Sequence, residues 1–191
     1  MNADRAPQLK RSVSRGVGEC GQGPRGDTDI AEDPARFLSE QIDREAKGPP
    51  LALPDGSMVP RLPGYSRWMW DGEFCGTIGF RWQPGTTELP PYCLGTGGYS
   101  VVPWKRQRGY ATRALQLLLS QAKEEALSYI ELTTDSDNIA SRRVIEANGG
   151  KLIERFYTPA AYGGAESLRF RILLAPAAAP VAHPVEDLKD G

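Results

Sequence analysis

Val101-Val102-Pro103-Trp104-Lys105-Arg106-Gln107-Arg108-Gly109-Tyr110-Ala111-Thr112 is the stretch on which the reading of this chain turns. An apolar strand breaks at Pro103, and a long amphipathic helix follows within a few residues. Arg106, Gly109 and Ala111 stand in an Arg-x-x-Gly-x-Ala frame. The start of a helix carries free backbone N–H groups at the positive end of the helix dipole, so such a junction attracts phosphate. Small residues at Gly109 and Ala111 let a ligand come close to the backbone. From Leu89 to Lys123 the only charged residues are Lys105, Arg106, Arg108, Arg113 and Lys123. The segment reads as an anion-binding loop. Upstream, Gly16-Val17-Gly18-Glu19-Cys20-Gly21 matches the dinucleotide pattern G-x-G-x-x-G. It lacks the preceding strand and the following helix that give that pattern its meaning, and is read as accidental.

Composition narrows the classes. At 191 residues the chain suits one domain with a sizeable core. A net charge of −1 gives no global attraction to nucleic acid or to an anionic membrane. No apolar run reaches membrane-spanning length, and the N-terminus lacks a signal-peptide core. Three cysteines, Cys20, Cys75 and Cys93, have no metal-type spacing and read as reduced thiols of a cytoplasmic protein. The single histidine, His183, lies in a Pro/Ala-rich tail, which argues against a His-based metal site or a Ser-His triad. No metal is expected. There is no G-x-x-x-x-G-K-[ST], which argues against a nucleoside triphosphatase.

Working outward, residues 1–30 read as disordered, 31–174 as the folded domain, and 175–191 as a solvated tail. Asp33-Pro34 predicts a helix start, with Phe37, Leu38, Ile42 and Ala46 as its apolar stripe before Gly48-Pro49-Pro50. Asp71-Gly72 predicts a two-residue turn between strands Tyr65 to Trp70 and Glu73 to Trp82. Gly76 and Gly79 suggest a bulge or close packing in the second of these. Trp68, Trp70 and Trp82 read as core or sheet-face packing. A strand from Gly97 to Val102 leads into the loop. The helix after it is expected over about 109–127, with Leu115, Leu118, Leu119, Ala122 and Ala126 on one face. Tyr129 to Thr134 reads as a strand. A short helix over 139–147 is capped from Asp135-Ser136-Asp137-Asn138 and ended by Gly149-Gly150. Lys151 to Tyr157 and Leu168 to Leu174 complete the strands. The expectation is an α/β (α+β) domain with one mixed, mostly antiparallel sheet, a central βαβ unit and helices on both faces.

With those elements in place, the chain resembles the GNAT superfamily of N-acetyltransferases from about Ala35 to Leu174, most densely from Gly98 to Gly150. Two motifs occur in order. Arg106, Gly109 and Ala111 match the Gln/Arg-x-x-Gly-x-Gly/Ala loop. Asn138, Ser141, Val144, Ile145, Glu146 and Gly149 match an Asn-x-x-Ser-x-x-(apolar)-(apolar)-Glu-x-x-Gly segment. The resemblance implies an acyl-CoA N-acyltransferase fold and acetyl-CoA as co-substrate. It implies that backbone amides of Gln107, Arg108, Gly109, Tyr110, Ala111 and Thr112 hold the pyrophosphate with Arg106 beside them. It also implies that Ser100 to Val102 pair with pantetheine, with the N–H of Val101 or Val102 polarising the thioester. Asn138 would approach the lower pantetheine or serve as a helix cap. Arg142 would lie near the nucleotide end or on a solvated face.

Many members carry Tyr where this chain has Ile145. The Asn-x-x-Ser version is similar to the ribosomal-protein N-terminal acetyltransferase branch, which implies Ser141 as the hydrogen-bond partner of the leaving thiolate. Tyr157 and Tyr162 are second choices, and a small packing residue is the plain reading of Ser141. Glu73, Glu88 and Asp135 remain open as general bases. The activity expected is direct transfer to a primary amine of a small molecule or protein, since no cysteine is placed to carry the acetyl group. The alternative is a non-catalytic acyl-CoA-binding sensor or interaction module. No nucleic-acid or membrane partner is expected, and a homodimer is compatible with the superfamily's habits.

Overall fold

The computed structural model describes residues 41–160 and 163–174. The chain expectations for 1–30 and 175–191, most of the first helix, Tyr162, Cys20 and His183 lie outside them. Three short strands open the described region: β1 (Ile42–Asp43), β2 (Leu51–Ala52) and β3 (Met58–Val59). They are followed by β4 (Gly64–Trp70), β5 (Phe74–Arg81) and β6 (Gly97–Val101). A single 3-10 turn at Pro103–Lys105 leads to helix α1 (Tyr110–Glu124). Then come β7 (Tyr129–Asp135), α2 (Ile139–Ala147), β8 (Lys151–Tyr157) and β9 (Glu166–Leu173).

The strands form ladders β1-β4-β5-β6 and β7-β9-β8, with β2-β3 as a separate pair. β6 and β7, joined by the α1 crossover, are the two halves' neighbours. Thr96 N–H donates to Glu131 O at 2.8 Å, and Glu131 N–H donates to Thr96 Oγ1 at 3.0 Å. Beyond that point no ladder joins β6 to β7. The single sheet read from the sequence is therefore opened along its middle. The core fills the space beneath. Leu115, Leu118 and Ala122 of α1 meet Ile145 of α2, Cys75, Ile78 and Phe80 of β5, Ile130 and Leu132 of β7, and Leu168, Phe170 and Ile172 of β9. Alternation along β7 follows from its period of two: Ile130, Leu132 and Thr134 are buried while the residues between them are half-buried.

Three local expectations change. The predicted first helix does not extend through Ile42: Ile42 and Asp43 pair with Tyr65 and Gly64 as an antiparallel strand. Apolar spacing at Phe37, Leu38, Ile42 and Ala46 fits a helix, but the open edge of β4 offers backbone hydrogen bonds that spacing does not register. α1 stops at Glu124, and Ala126 leaves the helix with φ 56°. Leu127, buried, takes the core position foreseen for Ala126, a common accompaniment of a left-handed helix end. The hairpin tryptophans divide. Trp82 is buried and stacks on Phe80 at 5.2 Å, Trp68 meets Phe74 edge-on at 5.4 Å, and Trp70 is 65% exposed.

Gly76 is the close approach that its place in the strand suggests. A Cβ there would lie 2.0 Å from Ser100 O and 2.9 Å from Val101 Cα. Only glycine lets β5 and β6 meet at this level. Gly79 is less demanding, its nearest contacts being 3.8 Å and 3.9 Å away.

Candidate functional site

The loop before α1 is built from backbone. Lys105 N–H and Arg106 N–H close the 3-10 turn onto Val102 O and Pro103 O. Gln107 then adopts φ 62° and Gly109 φ 79°, so the chain reverses twice before the helix begins. Gly109 is the N-cap of α1 and supplies no side-chain cap. Arg113 N–H donates to Gly109 O at 3.0 Å as the first bond of the helix. The N–H groups of Gln107, Arg108, Gly109, Tyr110, Ala111 and Thr112 find no acceptor among the described residues. Successive free donors at a helix N-terminus form a concave seat for an anion. The free backbone donors expected at this helix start are present.

The cations around this seat differ in their freedom. Arg106 folds back, its Nε donating to Val101 O at 3.1 Å. Arg108 is exposed and makes no ion pair among the described residues. Lys105 is buried and committed elsewhere: Nζ lies 2.9 Å and 3.0 Å from the carboxylate oxygens of Asp71, and 3.0 Å from Glu73 Oε2. The Tyr110 hydroxyl donates to Asp71 Oδ2. The Asp71-Gly72 turn of the β4–β5 hairpin is thereby tied to both ends of the loop. Tyr110 and Lys105 together hold the Asp71 carboxyl well below the usual aspartate range.

The opened edge of β6 supplies a second set of groups. Val102 N–H donates to Cys75 O at 2.9 Å. Of the two expected thioester donors, Val102 is thus already used. The same bond makes Gly76–Val101 a non-hydrogen-bonded pair of the antiparallel ladder, which turns the Val101 N–H away from β5 and toward the gap before β7. Val101 O, in turn, receives Arg106 Nε.

Across the gap, α2 begins at Asn138, whose Oδ1 accepts the N–H of Ser141 at 3.1 Å. Asn138 is therefore a helix cap, the plainer of its two readings. Ser141 is half-buried and meets Tyr99 of β6: the two hydroxyls are 2.9 Å apart, and the Tyr99 hydroxyl also donates to Ser141 O at 3.2 Å. Tyr99 was not among the residues singled out from the sequence. Its position on the inner side of β6, one residue after Gly98, was the only available signal. Tyr157 is 74% exposed at the end of β8 and makes no hydrogen bond with Ser141. Arg142 donates from Nη1 to Ser136 O at 3.3 Å, while its Nε is buried without a partner. Trp104 is 64% exposed beside the loop, so it does not pack in the core.

The three carboxylates considered as bases separate clearly. Glu73 is bound to Lys105. Glu88 is exposed on the loop before β6, its N–H donating to Thr86 Oγ1. Asp135, half-buried at the end of β7, keeps a buried Oδ1 without any partner. Desolvation raises its pKa, with the charge of Asp137 adding to the shift. Both described cysteines, Cys75 and Cys93, are buried thiols. Among the described residues no cluster of His, Cys, Asp or Glu could hold a metal ion, and no helix is long and apolar enough to cross a membrane.

A strand–loop–helix with an open row of amides, set beside two parallel strands that part, defines the acyl-CoA N-acyltransferase type of fold. Residues 58–151 match the family model of the acetyltransferase (GNAT) domain, and the chain carries a domain of that family. Among solved structures it is similar to RimL, the ribosomal L7/L12 α-N-protein acetyltransferase solved with coenzyme A. That match has 16% identity over 58% of this chain and 62% of that one, with a TM-score of 0.50. It is also similar to MccE, the microcin C7 self-immunity acetyltransferase solved with acetyl-CoA and AMP (12% identity, 58% and 61% coverage, TM-score 0.49). A third is the yncA protein of Salmonella typhimurium, solved with its cofactor acetyl-CoA (18% identity, 59% and 65% coverage, TM-score 0.44). The chain spans less than two thirds of the length of each. No curated protein matches it.

Proposed function

We propose that this chain is an acetyl-CoA-dependent N-acetyltransferase that moves the acetyl group to a primary amine of a small molecule or protein within a ternary complex. The observation that carries the reading is the row of unpartnered amides from Gln107 to Thr112 opening beside the parted strands β6 and β7. The loop suits a pyrophosphate. The free β6 edge suits the amide groups of pantetheine, and the Val101 N–H suits the oxygen of a thioester. Held in that line, the thioester needs mainly an amine brought to it in the right orientation.

The chemistry is an addition–elimination. The amine nitrogen bonds to the acetyl carbon, the C–S bond breaks, and its electron pair leaves on sulfur. Ser141 is assigned to hydrogen-bond the thiolate. Asp135 is assigned to receive the acceptor's proton, because its carboxylate retains an unused oxygen and its pKa is displaced upward, the direction that makes a better base at neutral pH. The burial of Cys75 and Cys93 supports direct attack over a cysteine-borne acetyl intermediate. The few cysteines of the sequence, without metal-type spacing, accord with a reducing compartment, and we place the protein in the cytoplasm.

Calorimetric titration with acetyl-CoA, followed by CoA release over a panel of amines, tests the proposal. Ala111→Glu puts a carboxylate into the anion seat while a glutamate in the first turn favours the helix itself. Micromolar binding by the wild type, abolished in a folded Ala111→Glu variant, is the expected result. Binding without CoA release to any amine would favour the acyl-CoA-binding module instead. No binding by the folded wild type would end the acetyltransferase reading.

A further inference from the structure

Tyr99 reaches from β6 across the opened seam to α2. Its ring packs against the core, opposite Ile78 in the ladder, and its hydroxyl meets both Oγ and the carbonyl oxygen of Ser141. Resting on the acetyltransferase reading above, we infer that Tyr99 is the positioning residue for Ser141, holding the serine hydroxyl so that its proton faces the leaving sulfur.

Tyr99 and Ser141 have one hydroxyl proton each. If Tyr99 donates to Ser141 O, the serine proton turns to the phenol oxygen and away from the seam. If Tyr99 donates to Ser141 Oγ, the serine proton is free to point into the seam. A thiolate there selects the second arrangement, since a hydrogen bond to a charged acceptor is stronger than one between neutral hydroxyls. Without the phenol, a serine in the first turn of a helix turns its hydroxyl to a carbonyl of the turn before it, here that of Asn138. Tyr99 keeps Ser141 from that alternative.

Tyr99 gives a hydrogen bond and not a proton. Burial pushes its phenol up to about 12, against the smaller opposing effect of the Ser141 bond. A thiol titrates near 8.5, so transfer from this phenol to a thiolate runs uphill. No proton leaves Tyr99 or Ser141 in the step. The one that neutralises the thiolate is the proton that the acceptor nitrogen loses on forming the amide, passed on by Asp135 through solvent.

The test uses bound coenzyme A and needs no turnover. Thiolate ultraviolet absorbance gives the thiol pKa on the wild type, Tyr99→Phe, Ser141→Ala and the double variant. The wild type should hold the thiol lower than either single variant by about half a unit to one unit, the scale of one charge-assisted hydrogen bond partly lost. The double variant should match Ser141→Ala. In turnover, Tyr99→Phe should lower kcat about threefold to tenfold, leave KM for acetyl-CoA within about twofold, and add nothing in the Ser141→Ala background. Equal thiol pKa values in bound wild type and Tyr99→Phe would overturn the inference while leaving the acetyltransferase reading standing. Additive effects of the two substitutions would also overturn it, since Tyr99 would then act apart from Ser141. Failure of the wild type to bind coenzyme A would overturn the parent reading and this one together.

Discussion

Lys105 Nζ sits 2.9 Å and 3.0 Å from the two carboxylate oxygens of Asp71, one partner on the loop that follows β6 and the other at the tip of the β4–β5 hairpin. Arg106 and Arg108 on the same loop are exposed, yet this cation is buried and neutralised. The pair acts as a tie that sets where the amide row stands. Removing the Asp71 charge leaves Lys105 with only the exposed Glu73 and weakens the acceptor of the Tyr110 hydroxyl, so a half-buried network loses its centre.

Asp71→Asn should lower Tm by several degrees at neutral pH and weaken acetyl-CoA binding. The sign with pH follows from the lowered Asp71 pKa, whose ordinary value is 3.8. A depressed carboxyl stabilises the fold above that ordinary value and loses the contribution as pH falls below it. Thermal melts of both proteins should therefore converge as the pH drops below about 4. Melting curves that stay equally far apart well below that pH would remove the tie. Glu73→Gln, by contrast, alters a side chain that is 73% exposed and should leave Tm within scatter.

Gly76→Ala should be severe and Gly79→Ala mild. The first places a methyl group 2.0 Å from Ser100 O, in a rigid ladder; the second meets only ordinary contacts at 3.8 Å and 3.9 Å. Urea unfolding should show a loss of about 3 kcal/mol or more for Gly76→Ala, against about 1 kcal/mol or less for Gly79→Ala. Equal losses would mean that β5 and β6 do not approach as described.

Gln107 holds φ 62°, a left-handed conformation that a β-branched residue strongly resists. Gln107→Gly should retain acetyl-CoA affinity within about threefold, because glycine adopts that backbone freely. Gln107→Val should weaken it at least about tenfold by turning the loop amides off their common focus. Titration calorimetry on the two variants decides the matter; equal affinities would show that the reversal at Gln107 is not needed for binding.

Asp135→Asn should lower kcat about a hundredfold, the usual contribution of a positioned base. It should also raise Tm near neutral pH. A carboxyl whose pKa is raised by burial costs stability above its folded-state value, and the cost disappears as pH falls below the ordinary 3.8. The stability advantage of the variant should fade over that acid range. A variant with unchanged kcat would take Asp135 out of the mechanism, whatever its melting behaviour.

Much of the fold was legible because its signals are local. The chain reversal at Asp71-Gly72 (a three-residue loop between Trp70 and Phe74 rather than the two-residue turn expected), the helix over 139–147 and its Asn138 cap, and the strand over 151–157 depend on residues next to one another in the chain. Ile42 went to a strand because an edge partner from another element was available. Tyr99 escaped notice because its meaning lies in Ser141, forty-two positions away. Lys105 looked like a free cation because the acids that neutralise it belong to the preceding hairpin.

The sequence by itself determined the order of elements from β4 onward and the loop whose amides stay free before α1, since proline, glycine and helix periodicity act through short-range backbone geometry. Only the tertiary structure decided which donors and charges stay free. Val102 is used by Cys75, Lys105 by Asp71, and Asn138 by its own helix, while Val101 and one oxygen of Asp135 are left without competitors. The reason is physical: a polar group's availability is set by what remains after its neighbours in space have bonded to it, and those neighbours come from distant parts of the chain.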